Sequence, residues 1–151
     1  MKTRFSITTP KPEDRQQWQA LYQAYAAFYN MEPSPEVYDE VWRWIHCEHT
    51  PFYGLVAKTA DGNIIGLMHF RSQLSPLRGT SVGFLDDLFL EPAYRGRDIV
   101  DELFAELKAA AKQLQWPFVR WITAEDNYRA RKVYDRLADK TAWVTYQMNS
   151  D

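Results

Sequence analysis

The amino-acid sequence predicts one α/β domain of mixed α+β type over residues 1–151, with a central mixed, mostly antiparallel sheet and helices on both of its faces. Three observations support this fold class. The length suits a single domain that can bury its own core. An Asp61-Gly62 pair separates two apolar runs, as in a tight β-hairpin. From residue 81 onward a strand, a helix and a second strand follow one another, which favours a mixed sheet.

The first half of the chain predicts a strand, two helices and a hairpin. Residues 4–9 alternate weakly and are followed by prolines, which indicates a first strand. Large apolar residues then recur at helical spacing up to Asn30, namely Trp18, Leu21, Tyr22, Tyr25 and Phe28. A second helix follows Ser34 and carries Val37, Val41, Trp44 and Ile45. The hairpin strands are predicted over residues 52–58 and 63–70, and a loop over residues 71–80.

The second half predicts three more strands and two more helices. Residues 81–90 are the most strand-like run of the protein. A helix follows the Arg95-Gly96-Arg97 turn, and its apolar stripe is Val100, Leu103, Phe104, Leu107, Ala111 and Leu114. Residues 118–123 predict a strand, residues 127–137 a short helix, and residues 143–148 a closing strand. The predicted order is therefore β-α-α-β-β-β-α-β-α-β.

Composition and charge exclude several classes of protein. The net charge of −2 provides no basic surface for nucleic acid. A single cysteine, Cys47, excludes an internal disulfide and fits a reducing cytoplasm. No apolar run of about 18 residues predicts a membrane span, and the N-terminus lacks the apolar core of a signal peptide. We therefore expect a cytoplasmic protein without nucleic-acid or membrane partners.

Two further features of the sequence can be explained by packing or by helix structure as well as by a binding site. The aromatic content of 15% fits an aromatic-lined pocket or a core of large side chains. The run His46-Cys47-Glu48-His49 contains metal-ligand residue types, but without a second cluster it is better explained as a polar helix end. No metal site is predicted.

The junction after Leu90 predicts an anion-binding turn. A buried strand, a glycine-containing turn and a helix leave backbone N–H groups pointing into one concavity, where the helix dipole favours negative charge. The guanidinium groups of Arg95 and Arg97 can pair with phosphate oxygens. An ordinary strand-to-helix corner would produce the same pattern, so both interpretations stand at this point.

Two adjacent carboxylates, Asp86 and Asp87, interrupt the apolar strand before that turn. Because strand side chains alternate, they are expected to point to opposite faces of the sheet. Burial of an unpaired carboxylate is costly, so each should have a partner or face a cleft. One of the two could act as a general base for an ammonium substrate, while the other has a structural role.

The helix at residues 127–137 carries Asn127 and Tyr134 seven residues apart, which places them on one face. Tyr134 lies in the apolar stripe of this helix, where a phenol must find a partner. It is suited to give a proton to a departing thiolate, although a plain core tyrosine would have the same spacing.

Together these segments resemble the GNAT family of N-acetyltransferases. The run DDLFLEPAYRGR at residues 86–97 is similar to the family's central motif, and NYRARKVY at residues 127–134 is similar to its second motif. One helix and one strand separate the two, as in the family. The clear similarity covers residues 84–137, and the element order extends it to the rest of the chain.

The resemblance implies an N-acetyltransferase that moves an acetyl group directly from acetyl-CoA to a primary amine of a small amine, polyamine, amino acid or peptide. It implies Asp86 as the residue that helps to deprotonate the amine and Tyr134 as the general acid toward the coenzyme thiolate. The backbone around Phe89 would hold the pantetheine arm like an added strand. The implied coenzyme-binding residues are Leu88, Phe89, Leu90, Arg95, Gly96, Arg97, Asp98, Ile99, Val100, Asn127, Ala130 and Tyr134, with Asn127 contacting the pantetheine or fixing the helix start. A homodimer, through the C-terminal strand, is also suggested.

The turn departs from the family pattern, since Asp98 stands where the family has a glycine and Val100 where it has a small residue. A carboxylate about 4 Å from a pyrophosphate charge costs on the order of 4 kcal/mol at an effective dielectric near 20. Asp98 could instead turn away and cap the helix. The glycine-phenylalanine pair that often follows the second motif is also missing, replaced by residues 138–141. The alternative function is therefore a catalytically silent domain that binds an acyl-CoA or a protein partner.

Overall fold

The computed structural model describes residues 5–96 and 98–151. Contacts divide the chain into two compact units, one ending at Trp121 and one from Ile122 to Asp151. The elements of the first unit are β1 (Phe5–Thr8), α1 (Arg15–Phe28), α2 (Pro35–His46), β2 (Phe52–Thr59), β3 (Ile64–Ser75), β4 (Thr80–Leu90), α3 (Ile99–Gln113) and β5 (Val119–Arg120). The second unit contains α4 (Tyr128–Leu137). Short 3₁₀ helices precede α1 at Pro12–Asp14 and α3 at Pro92–Tyr94.

The five strands form one sheet in the order β1-β2-β3-β4-β5. The first three pairings are antiparallel and the pairing of β4 with β5 is parallel. This confirms the predicted mixed, mostly antiparallel sheet. The β2–β3 hairpin turns at Asp61-Gly62 as predicted, and Gly62 adopts a φ of 85°, which a residue without Cβ tolerates.

Helices cover both faces of the sheet. Trp18 and Leu21 of α1 and Val41 of α2 share a buried cluster with Val56 and Leu67, which are paired on β2 and β3. The opposite face of β3 presents Met68 and Phe70, and the indole of Trp116, just after α3, packs on Phe70. The buried stripe of α3 comprises Ile99, Leu103, Phe104, Leu107 and Ala111. All seven residues from Ile64 to Phe70 are buried, because β3 lies between the two helical layers.

Helix α1 begins and ends at identifiable polar groups. Asp14 at its start is buried, accepts the backbone N–H of Lys11 at 2.8 Å and pairs with Lys58 Nζ of β2 at 2.6 Å. At the other end Asn30 adopts a φ of 58°, and the N–H of Met31 donates to the carbonyl of Ala26. This arrangement is a common way to end a helix, since it satisfies a free carbonyl group.

Two predicted features are wrong. The loop predicted over residues 71–80 is only a turn at residues 76–79, since β3 continues to Ser75 and β4 begins at Thr80. The side chains of these residues are mostly polar and do not indicate a strand, whereas the pairing of β3 with β4 depends on backbone hydrogen bonds. Residues 143–148 are not a strand either: Trp143, Val144, Tyr146 and Met148 alternate in a strand-like way, but no described strand pairs with them and their side chains are exposed. None of the described helices is long and apolar enough to cross a membrane.

Candidate active site

A β-bulge in β4 places both aspartates in one cleft. The register pairs His69 with Asp87 and Phe70 with Leu85, so Asp86 is an extra residue on β4. Such a bulge interrupts the alternation of side chains. Asp86 and Asp87 therefore do not point to opposite faces, and the predicted alternation is wrong at this position.

The cleft that they share has a volume of about 580 Å³. We call it the aspartate cleft. Residues of α1, α2, β2, β3, β4 and the segment before β2 line it: Tyr22, Val41, Trp44, Thr50, Pro51, Phe52, Arg71, Ser72, Asp86 and Asp87. The described lining therefore combines aromatic and apolar side chains with one cation and two carboxylates.

Asp87 is held as a carboxylate by several donors. Its Oδ2 accepts the Tyr22 hydroxyl at 2.7 Å and lies 2.9 Å from Nδ1 of His69. Burial alone would raise the pKa of Asp87, but the hydrogen bonds from His69, Tyr22 and Tyr25 together hold it below its usual value. Asp87 is thus the structural member of the pair.

The tautomer of His69 follows from its second neighbour. The indole N–H of Trp18 donates to Nε2 of His69 at 3.0 Å, and both side chains are fully buried. Because Nε2 accepts, a neutral imidazole carries its proton on Nδ1 and donates it to Asp87. Trp18 therefore donates a hydrogen bond to His69, and His69 donates one to Asp87.

Asp86 has a different environment. Its carboxylate accepts Nε of Arg71 at 3.2 and 3.1 Å, and about a quarter of its side chain (27%) remains exposed. Burial raises the pKa of Asp86 above its usual value; Arg71 opposes this shift and the charge of Asp87 adds to it. Adjacent carboxylates thus differ in proton affinity, and Asp86 is the one suited to accept a proton.

Tyr22, which lines the cleft, and Tyr25, next to the bulge, remain protonated. Burial, together with the charge of Asp87, raises the pKa of Tyr22 and of Tyr25 far above the usual value. The Tyr25 hydroxyl also lies 3.5 Å from the main-chain oxygen of Asp86. Both phenols act as hydrogen-bond donors to the bulge and not as bases.

Beyond the bulge, one edge of β4 is open. Only Gly83 and Phe84 pair with β5, and among the described residues no strand pairs with that edge from Leu85 to Leu90. Because backbone groups alternate along a strand and Glu91 N–H donates to Ile65 of β3, the groups of Leu88 and Leu90 face this edge and those of Phe89 face β3. The edge is available to an extended ligand, and the role of these residues toward the pantetheine arm stays a prediction.

The predicted pyrophosphate turn follows directly. Gly96 adopts a φ of 82°, as a tight turn into a helix requires. Nε of Arg95 donates to the carbonyl of Leu90 at 3.2 Å, and its guanidinium lies 5.2 Å from the centre of the Phe89 ring. The structure therefore places Arg95 against the end of β4. Arg97 lies outside the described residues.

Helix α3 begins just beyond this turn. Asp98 occupies the N-cap position, but its exposed side chain makes no capping hydrogen bond, so the capping role considered for it is wrong. The side chain of Ile99 is fully buried, so this residue can offer only backbone groups to a ligand. Val100 is half-buried.

The remaining predicted residues lie in the second unit, on α4. The side-chain oxygen of Asn127 accepts the N–H of Ala130 at 3.3 Å, which is the helix-start role expected of it. Tyr134 and Ala130 are half-buried on the same helix. The general-acid role of Tyr134 stays a prediction.

Sequence reasoning missed four residues: Tyr22 and Arg71 line the aspartate cleft, and Trp18 and His69 form the hydrogen-bond chain to Asp87. Trp18 and Tyr22 are four residues apart on α1, where their spacing predicts an amphipathic helix and no functional role. The available signal was His69, a lone polar residue within a strand that is otherwise apolar from Ile64 to Phe70. A buried imidazole needs partners, which the helix above and the strand beside it supply.

Comparison with known proteins gives a consistent result. The profile of the acetyltransferase (GNAT) family matches residues 18–138. The chain is 26% identical over 147 residues to the D-amino-acid N-acetyltransferase HPA3 of Saccharomyces cerevisiae, covering 97% of this chain and 91% of that protein.

Solved structures share the fold. The aminoglycoside 6'-N-acetyltransferase AAC(6')-Ih of Acinetobacter baumannii has a TM-score of 0.80 at 19% identity, covering 98% of this chain and 99% of that one. The ribosomal-protein-alanine N-acetyltransferase of Brucella melitensis biovar Abortus 2308 has a TM-score of 0.79 at 20% identity, covering 98% and 100%. Because the family profile spans most of the sequence, the chain belongs to the acetyltransferase (GNAT) family, and it is an acetyl-CoA-dependent N-acetyltransferase.

Proposed function

We propose that the aspartate cleft binds a small primary amine and that Asp86 takes the proton from its ammonium group, directly or through one water. The difference between the two aspartates carries this proposal. Asp87 accepts hydrogen bonds from His69 and Tyr22, which lower its pKa, so it stays ionised at neutral pH. Asp86 is partly exposed and has a raised pKa, which makes it the stronger base of the pair.

The location of Asp86 on β4 supports the same role. The edge of β4 is open from Leu85 onward, and we propose its part from Leu88, two residues beyond Asp86, for the pantetheine arm. A substrate nitrogen at Asp86 would therefore approach a thioester carried along that edge, and the neutral amine would attack the carbonyl carbon without a covalent enzyme intermediate. We propose Arg95, Gly96 and the N–H groups at the start of α3 for the pyrophosphate, with Arg97 alongside.

We propose Tyr134 as the acid that protonates the leaving thiolate. It lies two turns after Asn127, whose side chain fixes the start of α4. The support for this role is the second motif, together with a helix start that holds the phenol's position along α4.

For the acceptor we propose a free amino acid as the first class to test, since the relative HPA3 is a D-amino-acid N-acetyltransferase. We also propose a cytoplasmic protein, which the free thiol of Cys47 supports. A homodimer through residues 143–148 is supported by their exposed aromatic and apolar side chains. Light scattering of the full chain tests the dimer.

The function is tested by acetyl transfer from acetyl-CoA to a panel of D- and L-amino acids, a polyamine and an aminoglycoside. We expect a small amine to be acetylated. Asp86→Asn should lower kcat/KM at neutral pH roughly 10²- to 10⁴-fold, the range for loss of a general base. Asp61→Asn, in the exposed hairpin turn, is the matched control and should leave the rate unchanged. Full activity of Asp86→Asn would remove Asp86 from the mechanism.

A further inference from the structure

Among the residues that the structure describes, Arg71 is the one cation that lines the aspartate cleft. It donates through Nε to both oxygens of Asp86, and about half of its side chain (48%) is exposed. Its guanidinium carbon lies 4.8 Å from the centre of the Phe84 ring. An arginine held between a carboxylate and an aromatic ring presents its plane in a defined orientation.

The guanidinium of Arg71 has five N–H donors. Within residues 5–96 and 98–151, Nε is the only side-chain donor of Arg71 that bonds to a protein acceptor. The outer donors of this cation are therefore available to a ligand in the cleft, and a carboxylate is the group whose geometry matches two adjacent guanidinium N–H bonds.

We propose that Arg71 binds the carboxylate of the acceptor while Asp86 receives its ammonium group, so that the acceptor is a zwitterionic α-amino acid. This inference rests on the proposed function of the cleft. An α-amino acid carries its two charges close together, and the Arg71–Asp86 pair presents the complementary charges side by side. The four groups would alternate in sign, so the acceptor adds to the existing ion pair without breaking it.

The same arrangement disfavours other amines. An amine without a carboxylate leaves the outer donors of Arg71 unpaired, and a polyamine brings a second cation close to a fixed one. Val41, Trp44 and Phe52 give the same cleft an apolar lining. The indole N–H of Trp44 donates to Glu40 at 2.9 Å, and its ring lies 5.5 Å from that of Phe52, so this lining is held in place. The preferred amino acid accordingly has an apolar side chain.

The test compares molecules that differ only at the carboxylate. Binding of leucine and phenylalanine in both enantiomers, of their amides and of isopentylamine and phenethylamine is measured by calorimetry on the full chain with coenzyme A present. The variants are Arg71→Gln, Arg71→Lys and, as matched control, Arg78→Gln, whose arginine lies in the β3–β4 turn over Phe118. Thermal melts check that each variant is folded.

We expect wild-type protein to bind an amino acid about tenfold to a hundredfold more tightly than its amide or amine, the range for a charged hydrogen-bonded pair. Arg71→Gln should remove that preference, because it weakens the binding of the amino acid and leaves the binding of the amide and the amine unchanged. Arg71→Lys should restore only part of it, and Arg78→Gln should not change it. Equal affinities in wild type, equal losses for all ligands in Arg71→Gln, or no binding of any amino acid would overturn the proposal.

Acetyl transfer to the same molecules separates this inference from the proposed function. Arg71-dependent binding of amino acids without any acetylated product would support the carboxylate assignment and contradict the proposed function. Acetylation of amines and amides as efficiently as of amino acids would support acetyl transfer in the cleft and contradict the role of Arg71.

Discussion

The indole N–H of Trp18 donates to Nε2 of His69 across a fully buried 3.0 Å contact between α1 and β3. This single hydrogen bond decides which imidazole nitrogen carries the proton, and therefore decides that His69 donates to Asp87. The charge state of the bulge thus depends on a helix residue that lies outside the cleft lining. It is one reason why the adjacent carboxylates of Asp86 and Asp87 differ in their hydrogen-bond partners and in the direction of their pKa shifts.

Replacing Trp18 tests this dependence through stability. Trp18→Phe removes the donor to a buried acceptor and leaves a cavity, so we expect the free energy of unfolding to fall by about 2–4 kcal/mol. Urea denaturation at pH 7 measures it. Trp143→Phe is the matched control, because Trp143 is 77% exposed and should cost little. Equal effects of the two substitutions would contradict the buried network.

The free energy of unfolding should depend on the ionisation of Asp87 at acidic pH. Its pKa is lowered on folding, so its contribution is complete above the ordinary value of 3.8 and is lost as the pH falls through the lower folded value. Asp87→Asn should therefore be less stable than wild type at pH 7, by about 1–3 kcal/mol. The difference should shrink below about pH 4. Unfolding free energies measured from pH 7 to pH 2 check this, and parallel curves would contradict it.

Tyr134→Phe should lower acetyl transfer at least tenfold while coenzyme binding stays nearly intact, because only the proton donor is removed. Steady-state kinetics and calorimetry with acetyl-CoA measure the two quantities. Tyr128→Phe on the same helix, with its side chain 71% exposed, is the matched control. Unchanged turnover in Tyr134→Phe would remove Tyr134 from the mechanism.

Asp98→Gly should bind acetyl-CoA as tightly as wild type or more tightly. The exposed Asp98 side chain makes no capping bond, so its removal costs the helix little and takes away a negative charge near the proposed pyrophosphate site. Asp98→Asn separates the effect of charge from that of backbone freedom. A large loss of affinity in calorimetry, in either variant, would show that the aspartate has a positive role.

Much of the fold could be predicted because it depends on local patterns. The helical spacing from Trp18 to Phe28 and the Asp61-Gly62 turn each contain enough information to define an element. Within residues 71–80, the extension of β3 to Ser75 and the start of β4 at Thr80 could not be found this way. The side chains there are mostly polar and show no apolar face. The predicted strand at residues 143–148 is wrong although its apolar residues alternate. Alternation shows which side chains would share a face, but it does not supply a strand to pair with.

The site was predicted in part. The two motifs identified the family, which the profile match confirms, and with it the acetyl-CoA chemistry. The bulge at Asp86 could not be foreseen, because it arises from the register between β3 and β4 and reverses the direction of one side chain. His69 and Arg71 belong to β3, far from either motif, and only the pairing of strands brings them to Asp87 and Asp86.

The pH dependence of kcat/KM for Asp86→Asn against wild type tests the central claim most directly. The raised pKa of Asp86 predicts that wild-type activity falls, as the pH is lowered, at a pH above the ordinary aspartate value of 3.8. In Asp86→Asn that acid limb should vanish and the plateau should be far lower. An Asp86→Asn profile that keeps the wild-type limb and plateau would contradict the assignment of Asp86 as the base.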